Sequence, residues 1–315
     1  MLQAHAACNR GGQQARQPSI TTSDGSLSAA FGPSEWALLL VTALMWGSSY
    51  LLISVALEGL RPLAITFMRV ALGLAVVSCL PGARRGSLSS CDRGRVALLG
   101  VLWLALPLSL YPIAQRHLSS SAAGMITGSQ PLMAAAIAAA LLRRRPARTA
   151  AAGLAVGFAG VVLVVSASTT GGGGARIDGA LLILLAVACY ALATNLAVPM
   201  QQRYGTIAVI RRALLVAFGL LAIPGVVALT LSESTLGSLA AIVPLGALSS
   251  GAGYLTFATL VGRAGATRGA VAIYLVPVVA IALGAVFRGE HPGTIALGGA
   301  ALVTVGAVLV GRSRR

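Results

Sequence analysis

Apolar runs about twenty residues long recur along this chain from Trp36 to Gly311, divided by short polar breaks. As a helix, each run is long enough to cross the roughly 30 Å of hydrocarbon in a bilayer. Hydrophobic residues make up 57% of the 315 and charged ones only 10%, more apolar sequence than one water-soluble core of this size buries. The bilayer is therefore the expected solvent. The chain reads as an all-α polytopic membrane protein with ten transmembrane helices, at about 36–56, 62–82, 96–115, 119–142, 149–168, 179–199, 207–231, 239–260, 269–287 and 294–310.

The net charge of +16 would suggest nucleic acid in a soluble protein, but here nearly every arginine stands in a break between apolar runs. With the N-terminus in the cytoplasm, the inner loops carry sixteen arginines, and the outer loops only Arg61, Arg116, Arg176 and Arg288. An extra or missing span would invert every later loop and erase that bias, so the count and the orientation support one another. The expected location is the plasma (inner) membrane of a bacterium, multi-pass, with both termini cytoplasmic and no nucleic-acid partner. The four cysteines, Cys8, Cys79, Cys91 and Cys189, have neither metal-ligand nor disulfide spacing, so no metal and no cofactor are expected. Residues 1–33 are polar, lack the apolar core of a signal peptide, and read as a disordered cytoplasmic tail.

From Ser129 the chain reads SQPLMAAAIAAALLRRRP, and 146 residues later, from Leu275, LVPVVAIALGAVFRGEHP. The same offset relates Gly100 to Gly246, Tyr111 to Phe257, Ser121 to Thr267, Pro131 to Pro277, Gly153 to Gly299 and Gly160 to Gly306. Trp46 and Tyr190 take comparable places in the first span of each half. This is a tandem duplication of a five-span unit, with repeats at 34–168 and 179–311 joined by a Gly-rich connector at 169–178. Five is odd, so the second copy is expected to enter the membrane inverted. Inversion also accounts for the endings: RRR faces the arginine-rich cytoplasm, and RGE faces out. Inverted near-equivalent halves around a central site are the architecture of many secondary transporters, whose two rocked states have similar energy.

In "MWGSSY" at Met45–Tyr50, "ITFMRVALGL" around Arg69, "SQP" and "LVP" in spans 4 and 9, "RGEHP" after span 9 and the glycines of spans 5 and 10, the chain resembles the EamA-type transporters of the drug/metabolite transporter superfamily. The resemblance covers about residues 36–310. It implies a secondary active transporter rather than an enzyme and, because the family includes many exporters, export of small polar metabolites such as amino acids. The family commonly closes span 4, as well as span 9, with a Gly-Glu pair. This chain has Arg143–Arg145 there instead.

Arg69 is the one charged residue expected well inside a span, where burial costs about 2.5–3.5 kcal/mol on insertion scales. It is read either as the holder of a substrate carboxylate or phosphate, or as an anchor for neighbouring carbonyls. Trp46, Tyr50, Trp103, Tyr111, Tyr190, Tyr254 and Tyr274 stand away from span ends, with Ser48, Ser49, Asn195, Ser249 and Ser250 at similar depth. Together they could line a small amphipathic substrate chamber. Gln130 adds a polar handle beside Pro131, and Pro131 and Pro277 are expected as paired hinges in spans 4 and 9. The glycine faces of spans 5 and 10 are expected to pack within the chain, with a homodimer as the alternative. Glu290 reads as a solvated loop charge.

Efflux of lipophilic or cationic drugs is the alternative transport reading, weakened because no acidic residue is expected inside a span. An embedded enzyme would need catalytic groups at depth, and none is found.

Overall fold

The structure, a computed structural model, describes residues 32–83, 88–141, 147–170, 177–264 and 271–312. The tail at 1–31, the Arg143–Arg145 run and most of the connector, 171–176, lie outside the described residues.

Every regular element among the described residues is helical: α1 (Pro33–Ala56), α2 (Pro62–Ser78), α3 (Ser90–Leu99, continuing through a π-helical stretch, Gly100–Ala105, into Leu106–Ala114), α4 (Ser120–Thr127), α5 (Gln130–Leu141), α6 (Arg148–Thr170), α7 (Ile177–Tyr204), α8 (Thr206–Thr230), α9 (Leu236–Pro244, a π-helical stretch, Leu245–Ala252, then Gly253–Ala264), α10 (Val271–Arg288) and α11 (Thr294–Arg312). Eight of these helical passages are long and apolar enough to cross a membrane, and α2 is apolar but shorter. Leu44, Val162, Ile223 and Val286 are exposed on the outside of the bundle. Such a surface suits lipid and would associate in water. The chain is a polytopic helical membrane protein.

Packing repeats in the sequence register. α1 packs along α10, and α7, its counterpart, packs along α4 and α5, the counterparts of α10. α2 lies on the π stretch of α9, as α8 lies on that of α3. The two π stretches overlap in the 146-residue register, Gly100–Ala105 falling on 246–251 within Leu245–Ala252. A side chain at Gly100 would strike Val216 and the carbonyl of Ala213; one at Gly246 would strike Leu72 and the carbonyl of Arg69. α6 and α11 cross at their glycines, Gly153 against the Gly306 carbonyl and Gly160 against the Gly299 carbonyl. Those glycine faces are buried within the chain, where small residues let two backbones approach closely.

Two expectations change. The prolines of spans 4 and 9 do not make like bends. Span 4 is interrupted at Gly128–Ser129, with Pro131 just inside α5, where its missing N–H costs least. Pro277 lies within the continuous α10. The register equivalent of Gly128 is Tyr274, whose hydroxyl donates to the Ala307 carbonyl at 3.2 Å and ties α10 to α11. Second, an acidic residue does enter a span: α3 starts at Ser90, and Asp92 in its first turn is 1% exposed. Its carboxylate accepts from the Tyr204 hydroxyl at 2.7 Å and pairs with Arg203 at 2.7 Å and Arg95 at 3.2 Å. Tyr204 and Arg203 sit at the end of α7 and Arg95 one turn on in α3, so Asp92 fastens two helix ends rather than facing the interior.

Candidate functional site

The π stretches position the centre of the molecule. A π turn holds one residue more than an α turn, which breaks the usual ladder and re-aims side chains and carbonyls. In α9 the Ser249 carbonyl accepts the Trp46 indole N–H at 3.3 Å, while the Ser249 hydroxyl donates to the Met45 carbonyl at 2.6 Å. Next to it, Ser250 presents its Oγ to Arg69 Nε at 3.0 Å. In α3 the π stretch carries Trp103.

These groups surround a cavity of about 90 Å³, smaller than the roughly 300–1,000 Å³ of pockets that hold small ligands. Its lining comprises Trp46, Ser49, Tyr50, Ile53, Arg69, Trp103, Leu108, Tyr111, Thr127, Gln130, Tyr190, Ser249, Tyr254, Ile273 and Val276. The aromatic rings form two groups. Tyr254 meets Trp46 and Trp103 edge-on at centroid distances of 5.8 Å and 5.3 Å. Tyr111 meets Tyr50 edge-on at 5.7 Å and Tyr190 at 6.2 Å. The Thr127 hydroxyl lies 3.2 Å from that of Tyr111.

Arg69 is 5% exposed, and no carboxylate among the described residues pairs with it. Ser250 Oγ is its one acceptor among them, for a guanidinium that carries five N–H donors. A cation in this position is poised for an anion.

Ten of the fourteen residues expected at chamber depth therefore meet at one cavity: Trp46, Ser49, Tyr50, Arg69, Trp103, Tyr111, Gln130, Tyr190, Ser249 and Tyr254, while the Ser48 hydroxyl donates instead to the Met45 carbonyl of its own helix. Ser250 stands behind Arg69 as its hydrogen-bond partner. Tyr274 is outside the lining, bonded to α11. The Asn195 side chain lies outside the described residues. Ile53, Leu108, Thr127, Ile273 and Val276 join the lining without having been anticipated. The duplication would have found two of them, because Leu108 is the register equivalent of Tyr254 and Val276 that of Gln130; Thr127 and Ile273 are equivalents of each other, and neither was anticipated.

Glu290 is not a solvated loop charge. Gly289, with φ +61°, turns the chain after α10, and the Glu290 carboxylate reaches the first turn of α4. It accepts from Ser120 N at 2.9 Å, Ser120 Oγ at 2.8 Å and Ser121 N at 2.8 Å. A carboxylate there satisfies orphan N–H groups at the positive end of the helix. Burial pushes the carboxyl up, but the hydrogen bonds from Ser121 and Ser120 outweigh it and hold Glu290 below its ordinary value.

Comparison with known proteins falls on this framework twice. The model of the EamA-like transporter family matches residues 34–166 and again 177–312. The chain belongs to the EamA-like transporter family. It is 28% identical over 286 residues to a probable terminal-alkyne amino-acid exporter of Streptantibioticus cattleyicolor, covering 88% of this chain and 93% of that protein. It is 25% identical to an uncharacterized transporter of Archaeoglobus fulgidus, covering 89% and 99%. A protein of known crystal structure matches with a TM-score of 0.62 at 20% identity, over 88% of this chain and 96% of that one, which shows the shared fold. Membership makes this EamA chain a membrane transport protein.

Proposed function

We propose that the chain is a secondary active exporter of amino acids or closely related small carboxylates. In this reading it has ten spans in two inverted five-helix repeats, residues 34–168 and 179–311, joined by 169–178, with both termini in the cytoplasm of a bacterial inner membrane. The exchange of helix contacts between halves in the 146-residue register supports the inverted pair. The interrupted α4–α5 passage and the short α2 supply the two spans beyond the eight long ones.

The observation that carries the substrate class is Arg69: a buried guanidinium, without an ion-pair partner among the described residues, on the wall of an aromatic chamber. Its burial is costly, and a substrate carboxylate offsets that cost by bidentate hydrogen bonding. Trp46, Trp103 and the tyrosines enclose the rest of the molecule. The name of the Streptantibioticus relative points to the same substrate class and to export. A cation would be repelled by Arg69, which disfavours lipophilic-cation efflux even though the rings suit cation–π contact.

At about 90 Å³ the chamber must widen to accept an amino acid. Alternating access supplies that motion, with the Gly128–Ser129 break ahead of Pro131 as the flexible point of the α4–α5 passage.

Proteoliposomes loaded with a panel of labelled amino acids, the amines that lack their carboxylates, and cationic dyes test this reading. Release of amino acids but not of the matching amines is expected. Release of dyes and amines with amino acids retained overturns it.

A further inference from the structure

A second cavity, about 710 Å³ in volume, is lined by the α1–α2, α3–α4 and α8–α9 connections and the end of α10. Of the four arginines assigned to outer loops, three converge on it: Arg61, Arg116 and Arg288. A bias that keeps arginine out of these loops makes such a concentration unexpected from topology alone. Arg288 pairs with Glu58. Arg61, Arg116 and Glu233 have no ion-pair partner among the described residues. At the floor, Gln115 is 8% exposed, and neither its Nε2 nor its Oε1 has a hydrogen-bond partner there. A buried amide with no partner is costly and marks a place where one is supplied.

The rim is fastened rather than loose. The Arg61 N–H donates to Ser232 Oγ at 3.0 Å, joining two connections, and Thr235 and Ser238 cap α9 reciprocally. Only one helical turn separates this cavity from the central one. Ser54 and Gln115 line the outer cavity, while Tyr50 and Tyr111, four residues earlier on the same helices, form an edge-to-face pair on the inner one.

We propose that this cavity is an antechamber that binds small zwitterions, with the carboxylate on Arg61, Arg116 and the Gln115 amide and the ammonium toward Glu233. It deepens the export reading by giving the substrate a second station beyond the Tyr50–Tyr111 partition, and its direction of use rests on that reading. Its volume exceeds that of the central chamber, so it selects by charge pattern rather than by side-chain shape.

The test uses the purified full-length protein in detergent, with phenylglyoxal modification of arginines mapped by peptide mass spectrometry. Leucine at about two to nine times its dissociation constant should slow modification of Arg61 and Arg116 by about three- to tenfold, because protection follows 1 + [L]/Kd. Isopentylamine, which has the ammonium alone, should not protect. 4-Methylpentanoate, which has the carboxylate alone, should protect less than leucine. Arg69→Gln should keep the protection, and Gln115→Leu, confirmed folded by its thermal transition, should weaken it. Equal protection by the amine, equal protection by the carboxylate, no protection at all, or its loss in Arg69→Gln overturns the proposal. Protection without any leucine flux in proteoliposomes supports the antechamber while sinking the export reading.

Discussion

The two halves of the molecule share their packing but not their charges. In the first half, Arg69 faces the chamber; Ala213, whose carbonyl meets Gly100 as that of Arg69 meets Gly246 and which is its counterpart by packing, is fully buried. The second half ends α10 with Glu290, and the counterpart in the first half is Arg144. Ten of the fifteen chamber residues come from the first half, including Arg69, Gln130 and Thr127, while the second half supplies mainly Tyr190, Tyr254 and apolar wall. Duplication therefore preserved what sets helix approach, the glycines and π stretches, and let the charges diverge: the chamber-facing guanidinium is in one copy and a helix-end clasp in the other.

The largest effect expected is at the divergent pair. Arg69→Gln should lower apparent affinity for a transported carboxylate by about 10- to 150-fold, the worth of a charge-assisted hydrogen bond in a buried site. Moving the charge, as Arg69→Ala with Ala213→Arg, should not restore transport. The counterpart of Ser250 is Leu104, which is 1% exposed and offers no acceptor. Restored flux in the double variant would mean the halves are interchangeable and the asymmetry incidental.

The shared features predict equal rather than unequal effects. A Cβ at Gly160 would lie 2.5 Å from the Gly299 carbonyl oxygen, and one at Gly306 would lie 2.5 Å from that of Gly153. Backbone must shift to admit either. Gly160→Ala and Gly306→Ala should each destabilise by about 1–3 kcal/mol, typical of overpacking, read as a lowered thermal unfolding midpoint in detergent. A neutral substitution at one site and a damaging one at the other would break the equivalence of the halves at their tightest contact.

Much of this was legible because hydropathy, arginine placement and the 146-residue register are all properties of the chain itself. The aromatic and polar lining followed from depth, since mid-span residues of several helices converge wherever a bundle has a centre. What escaped depended on rotation and on bond partners. Tyr274 has the right depth but turns toward α11, because Ala307 offers a carbonyl. Leu108 and Val276 line the chamber through register with polar residues, although apolar side chains carry no signal of their own. Asp92 and Glu290 lie beside helix ends, where a hydropathy window sees loop charge and only coordinates reveal Tyr204, Arg203, Ser120 and Ser121 as partners.

The smallest expected effect is at the clasp, and it separates the two halves most directly. Glu290 holds its proton less readily than an ordinary carboxyl, so its contribution is complete at and above the usual carboxylate range, near pH 4.3. It fades only as pH falls through the lower value set by Ser120 and Ser121. Hydrogen exchange at the amides of Ser120 and Ser121 should therefore stay protected through neutral and mildly acid pH, and lose protection below that. Glu290→Gln keeps the size of the side chain but loses its charge, so exchange there should quicken by about two- to tenfold at neutral pH and lose its acid-dependent step. Gly284 packs directly on Ser121 and Glu290, so a shape-preserving change isolates the charge from the packing. An unchanged exchange rate would assign the contact of α10 with α4 to packing alone, leaving Arg69 as the chamber-facing charge that distinguishes the halves.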